Sequence, residues 1–266
     1  SNLSLSLENY FNKVIVGYSE MADNVNVVAK SEFKFQTTPF IDQLLLADID
    51  QMDTLLLKFD FNSASQKLNT QIRMPHLLYL NAGIDTFRLD LEGDASTLNF
   101  DAGFDRLFYD PLNMGKTRLH ADFQDQKVNF SFNSKYKQDT VINFAAQITN
   151  LGDTIQVRVL PEALIFNKEN WRIPSNNLVT YAPKSLNFQN VEFSMGEQYF
   201  GVKNDFPNLE EEHLGIGFRN FALHTVFGFL NPENPIAKGE VNGDLIAVNP
   251  FHALGLVADL TIGDFE

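Results

Sequence analysis

The residues of this 266-residue chain that could do chemistry are five histidines and 34 carboxylates, with no cysteine beside them. His76, His120, His213, His224 and His252 stand far apart. None falls in an HExxH run, or at the close spacing that lets two imidazoles share a zinc ion on one helix or hairpin. They read as surface or hairpin histidines. The absence of cysteine excludes thiol catalysis, disulfides and thiolate-bound metal. DIDQMDTLLLKF, starting at Asp48, opens with the carboxylate spacing of a calcium loop. It then places Met52 at the fifth position, Asp53 where the glycine belongs and Phe59 where the bidentate glutamate belongs, so it is not such a loop. GIGFRNF (215–221) lacks the third glycine and the helix start of a dinucleotide loop, and its glycines read as a bend or a close approach of backbones. No GxSxG elbow or P-loop occurs.

Carboxylate pairs need a different test, because 34 acidic residues guarantee some proximity in any fold. A glycosidase sets two carboxyls across a cleft and stacks sugar on aromatic rings. Here the aromatic load is 25 Phe against one Trp and seven Tyr. Phe has no hydroxyl or ring N–H to offer a polar ligand. The aromatic side chains therefore suit an apolar core or an apolar groove rather than a polar substrate.

Charge narrows the partners. A formal net charge of −14 argues against binding a phosphate backbone, which calls for a basic stripe. The longest charge run, Glu210-Glu211-Glu212, reads as a solvated loop. No stretch reaches the ~20 apolar residues of a membrane-spanning helix. Ser1-Asn2 reads as the scar of a cleaved tag, and the chain as a segment of something larger.

The elements that would position these side chains are written in the alternation. Phe87, Leu89 and Leu91 alternate with polar residues up to the turn at Gly93-Asp94, and Leu98, Phe100, Ala102 and Phe104 repeat the pattern. Leu119–Phe123, Val128–Phe132, Ile142–Ile148, Ile155–Val159, Leu186–Phe188, Val191–Met195, Leu214–Phe218, Val241–Ala247 and Leu256–Ile262 follow suit. Period 2 with one polar face predicts antiparallel strands buried on one side. The phase slip at Asn190 predicts a bulge or a tight corner. TTPFIDQLLLADID (37–50), with Thr38 as cap and Pro39 at the first helical position, predicts an amphipathic helix, and HTVFGFLNP a second short one ended by Pro232. No linker or low-complexity tract divides the chain, so residues 1–266 read as one β-rich segment. RLDLEGDASTLNFDAGF, RLHADFQDQKVNFSF and SLNFQNVEFSMGEQYFGV share a strand–turn–strand layout that fits either stacked repeats or a simple meander.

Period 2 leaves two architectures open. The inward Phe could fill a closed β-sandwich, or line a sheet curled around an open trough that holds acyl chains. Both produce the same string.

LPEALIFNKENWRIPSNNLVTYAPKSLNFQNVEFSMGEQYFGV (160–202) resembles a passage of the TamB family, the inner-membrane subunit of the translocation and assembly module. The matching positions are Trp171, Ile173, Pro174, Asn176 and Asn177, the strand around Leu186–Phe193, and Gln198. The run that ends in Gly239, Asn242 and Gly243, and the helix-and-strands layout from TTPFIDQLLL onward, extend the resemblance over roughly residues 35–260. It implies an AsmA-like, bridge-type protein of the Gram-negative envelope, anchored in the inner membrane. Its long β structure, folded like a taco shell, would cross the periplasm with a hydrophobic trough. The family is linked to phospholipid movement toward the outer membrane and to assembly of outer-membrane barrels, commonly with a BamA-like barrel partner. It carries no catalytic residues and implies no cofactor.

The expectation is then an all-β fold with one or two short helices, of the β-taco type, with a closed β-sandwich as alternative. The function is non-enzymatic: holding phospholipid acyl chains or nascent β-barrel segments in an apolar groove, or, in the alternative, acting as a cell-surface binding or adhesion module. Phe100, Phe130, Phe132, Phe144, Phe188, Phe193 and Phe218 are the residues expected to line that groove.

Overall fold

In the computed structural model the alternating runs become antiparallel strands joined mostly by tight turns. The structure describes residues 2–16, 26–36, 49–162, 164–207 and 209–265. The chain divides into two compact units, residues 1–137 and 138–266. No Pro/Gly/Ser-rich linker marks the boundary at Lys137, so nothing in the alternation announces it.

The first unit opens with a helix, α1 (Asn2–Phe11), which continues as a π-helical turn over Asn12–Val16. Among the described residues ten strands follow: β1 (Val28–Phe35), β2 (Ile49–Met52), β3 (Leu55–Asn62), β4 (Lys67–Tyr79), β5 (Ala82–Gly93), β6 (Thr97–Phe104), β7 (Arg106–Tyr109), β8 (Leu112–Met114), β9 (Lys116–Gln124) and β10 (Lys127–Tyr136). They pair in the order β1-β3-β4-β5-β6-β9-β10. β2 adds beside the far end of β4, and the β7–β8 hairpin beside the near end of β5. Of the helix expected over 37–50, residues 37–48 lie outside the described residues, and Ile49 and Asp50 open β2 as strand.

Register fixes the faces of this sheet. Leu91 pairs with Phe100, Phe100 with Ala121 and Ala121 with Phe130; Ala102 pairs with Leu119 and Leu119 with Phe132. On the other side Leu57 pairs with Ile72 and Ile72 with Leu89, while Phe33 pairs with Leu57. Cross-strand partners share a face, so these side chains make one apolar surface running across seven strands. The opposite surface is polar and laced with pairs: Lys30 with Asp60, Arg73 with Asp90, Arg118 with Asp105.

Among its described residues the second unit holds eleven strands and one helical turn. They are β11 (Asp139–Asn150), β12 (Ile155–Val159), β13 (Ile165–Phe166), β14 (Glu169–Asn170), β15 (Leu178–Ala182), β16 (Ser185–Gln189), β17 (Val191–Met195), β18 (Gln198–Lys203), β19 (His213–Ala222), α2 (His224–Phe227), β20 (Glu240–Val248) and β21 (Gly255–Gly263). β11, β12, β15 and β16 pair in that order, and β17 to β21 form a separate meander. Asn190, with φ of +53°, is the corner where the chain leaves one sheet for the other, as the phase slip predicts. The second short helix also falls where expected, as the single turn α2.

Between those two groups of strands lies the principal core of this unit. Val159, Leu164, Trp171, Ile173, Val191, Phe193 and Phe221 are buried together, with Phe144, Phe166, Val179, Phe188, Phe200 and Phe218 packed against them. Phe193 stacks on Phe200 with ring centroids 4.4 Å apart and planes within 5°. The passage built around Trp171 is thus a packing device.

Candidate functional site: an apolar sheet face

Three histidines have structural partners. His76 faces Asp85 directly across β4 and β5, with Nδ1 at 2.6 Å from the carboxylate. His120 faces Asp101 across β6 and β9 at 2.9 Å, with Asp122 at 3.8 Å on its other side. The Nε2 of His213 accepts the Phe206 N–H at 2.9 Å, so its Nδ1 carries the proton donated to the Glu211 carbonyl. Each is a rung or a loop tie. Among the described residues no group of three or more His, Asp or Glu side chains is placed to hold a metal ion.

The surface that stands out is the apolar face of the first unit. At one end it is covered. Tyr10 and Val14 are buried against Phe61, Leu68 and Leu98, with Leu3, Leu7, Phe11 and Ile15 packed alongside and Phe59, Leu91 and Phe123 beneath. The spacing Leu3, Leu7, Tyr10, Val14 puts these side chains on one stripe of the helix. Away from that end the face is half-buried. Phe87, Leu89, Phe100, Phe104, Leu119, Phe130 and Phe132 keep part of their surface, and Phe33 on β1 is 52% exposed.

The electrostatics around the covered end follow from burial. The Tyr10 hydroxyl sits at the sheet end without a hydrogen-bond partner among the described residues, and burial, with the nearby Asp94 charge, pushes its pKa up to about 12. Asp94 itself accepts the N–H groups of Ser96 and Thr97 at 2.9 and 3.0 Å, which hold its carboxyl below the usual carboxylate range. This Asx turn closes the β5–β6 hairpin.

The seven residues expected to line a groove separate into two groups. Phe100, Phe130 and Phe132 lie on the half-buried apolar face of the first unit. Phe144, Phe188, Phe193 and Phe218 belong to the packed cluster of the second, where Phe193 is only 6% exposed. Phe33, Leu57, Ile72 and Leu119 complete the open face. The alternation in AKSEFKF and LLLKFDF could have found the first two, which the sequence reading passes over, and the cross-strand register that joins them to β6 and β9 is not encoded in any local pattern.

The residues that carry the family resemblance hold the second unit together. Asn177 is buried; its Oδ1 accepts the Val159 N–H at 2.8 Å, and its Nδ2 donates to the carbonyls of Val159 and Pro174 at 2.8 and 2.7 Å. One side chain thus completes the backbone pairing of β12 where the strand ends. Asn204 does the same for β16, accepting the Phe188 N–H and donating to the Leu186 carbonyl, both at 2.8 Å. Gln198 Oε1 takes the Ala222 N–H, and Asn242 Oδ1 takes the Asn220 N–H at the β19 bulge. Gly243 has φ of +109°, and a Cβ there would lie 1.9 Å from the Asp259 carbonyl oxygen, so no other residue fits.

The chain matches no family model, no curated protein and no solved structure.

Proposed function

We propose that the first unit is an acyl-chain-holding segment of a TamB-like envelope protein, and that its apolar sheet face is the groove. The observation that carries this reading is that face: contiguous across seven strands, aromatic, and half-buried where α1 does not cover it. Each methylene taken out of water contributes about 0.8 kcal/mol, so an acyl chain can be held with no specific polar contact. The preference for Phe over Tyr and Trp fits such a ligand, as does the polar opposite face. In this reading the periplasm, the inner-membrane anchor of the parent protein, the BamA-like barrel partner and the β-taco architecture come from the resemblance alone. The segment does no catalysis. A nascent barrel strand is the alternative cargo for the same face.

For the second unit, the packed Trp171 cluster favours a sandwich-like structural or binding role. Its Phe side chains are spent on packing.

The test is native mass spectrometry with lipid extraction on the purified protein. Bound phospholipid that disappears in Phe100→Asp and Phe132→Asp, with the circular dichroism of the parent retained, supports the groove. A lipid-free protein that also takes up no added phospholipid removes it.

A further inference from the structure

The end of the first-unit sheet away from α1 carries a feature that the groove does not use. The β4–β5 hairpin turns over Leu80 and Asn81, and Leu80 is the residue with positive φ, at +50°, while 54% exposed. A left-handed backbone is costly for a leucine and easily adopted by asparagine, which stands next in the sequence. An apolar side chain is thus held in a strained conformation at a position where it packs on little. On either side of it stand Tyr79, 45% exposed, and Tyr109 of the adjoining β7–β8 hairpin, 58% exposed. Tyr79 pairs with Ala82, and Tyr109 lies one residue beyond the Gly83–Phe108 pair, so the small Ala82 sits between the two tyrosines. Exposed Asp50 and Asp110 flank the tip, and residues 77–83 contain no Lys or Arg.

We propose that this tip is a bilayer contact, with Leu80 entering the interfacial region of a membrane whose headgroups carry an ammonium, and Tyr79 and Tyr109 at headgroup level. The two tyrosines combine an apolar body with a polar edge, as interfacial aromatics do. A headgroup ammonium suits both the faces of the tyrosine rings and the two flanking carboxylates. The same carboxylates oppose an anionic surface. A protein partner is disfavoured by area: the three side chains expose roughly 300 Å² together, against roughly 800 Å² per side in a stable interface. Partition into a membrane interface has no such threshold and grows with each apolar group inserted. The proposal stands apart from the groove, because it needs none of the groove residues.

Flotation of the whole chain with phosphatidylcholine–phosphatidylethanolamine vesicles tests it. The parent should float. Leu80→Asn should bind about tenfold more weakly, and its thermal midpoint should hold or rise by a few degrees as the backbone strain is relieved. A merely structural leucine would not lose binding while gaining stability. Tyr79→Ser with Tyr109→Ser should reduce flotation by a similar factor. The proposal is overturned if the parent stays at the bottom, if Leu80→Asn floats like the parent, or if binding requires phosphatidylglycerol. A dimer in lipid-free solution that Leu80→Asn dissolves would also overturn it, by assigning the tip to self-association.

Discussion

Single side chains in this molecule are used mainly to finish what strands leave unpaired. Asn177 satisfies three backbone groups at the end of β12, so Asn177→Ala should cost about 3 kcal/mol by leaving buried polar groups without partners. Urea unfolding followed through Trp171, the only Trp in the chain, reads that loss directly in the second unit. Tyr10 is the opposite case. Its buried hydroxyl has no partner among the described residues, so Tyr10→Phe should leave stability at neutral pH equal or raise it by about 1 kcal/mol. The pKa adds a sign. A folded value of about 12, above the ordinary tyrosine value of 10.0, means that the stability linked to this group is whole below pH 10 and is lost as pH rises toward 12. Alkaline unfolding of the first unit should therefore begin at higher pH in Tyr10→Phe, and an identical midpoint in both proteins would refute the assignment. At this scale it is the resemblance to TamB-like proteins, rather than residue type or spacing alone, that groups Trp171, Pro174, Asn177, Gln198 and Gly243. That their common task is packing and strand completion depends on contacts made across loops, which no local pattern encodes.

Elements were read with uneven success, and the failures have a common cause. Strands with five or more alternating positions, from Phe87 to Ile262, are found where the alternation put them, because each must present one face to a core. The first helix escaped because Leu3, Leu5 and Leu7 alternate like a strand. The helical set Leu3, Leu7, Tyr10 and Val14 wins, since it buries Tyr10 and Val14 on the sheet, packs Leu3 and Leu7 beside them and leaves Leu5 46% exposed. Short pieces such as β7, β8, β13 and β14 hold too few residues to show any period. Two predictions belong here. Leu7→Asp should loosen α1 and expose more of the apolar face, seen as increased binding of an apolar dye with the strand signal in circular dichroism retained; unchanged dye binding would mean that α1 covers nothing of consequence. β21 is exposed along its whole length and carries Leu256, Ala258, Leu260 and Ile262 on one face beside a single charge, Asp259. Such an edge invites pairing with another strand. Leu256→Lys with Leu260→Lys should lower concentration-dependent association in sedimentation velocity, and the first unit's apolar-dye signal should not change.

For the molecule as a whole, composition had already said most of what composition can say. Twenty-five Phe in an acidic, cysteine-free chain require aromatic burial. What it could not say was how the burial is divided. In the second unit strands pack around Trp171 and use up their aromatics. In the first, a single sheet has one apolar face, and only α1 among the described elements buries a cluster on it. Sandwich and trough give the same alternation, so how the apolar residues are divided follows only from register and exposure. The resemblance to TamB-like proteins is carried by residues that fold the second unit together with the helix-and-strands layout from TTPFIDQLLL onward in the first, where the proposed groove lies.

The central claim is that this half-buried face holds acyl chains. The most direct measurement is native mass spectrometry of the parent protein and of Phe100→Asp with Phe132→Asp, each after incubation with phospholipid. The account predicts a lipid adduct on the parent that is lost in the variant, with both proteins folded by circular dichroism. A parent that remains folded and carries no lipid after incubation, or a variant that binds as much lipid as the parent, would contradict it.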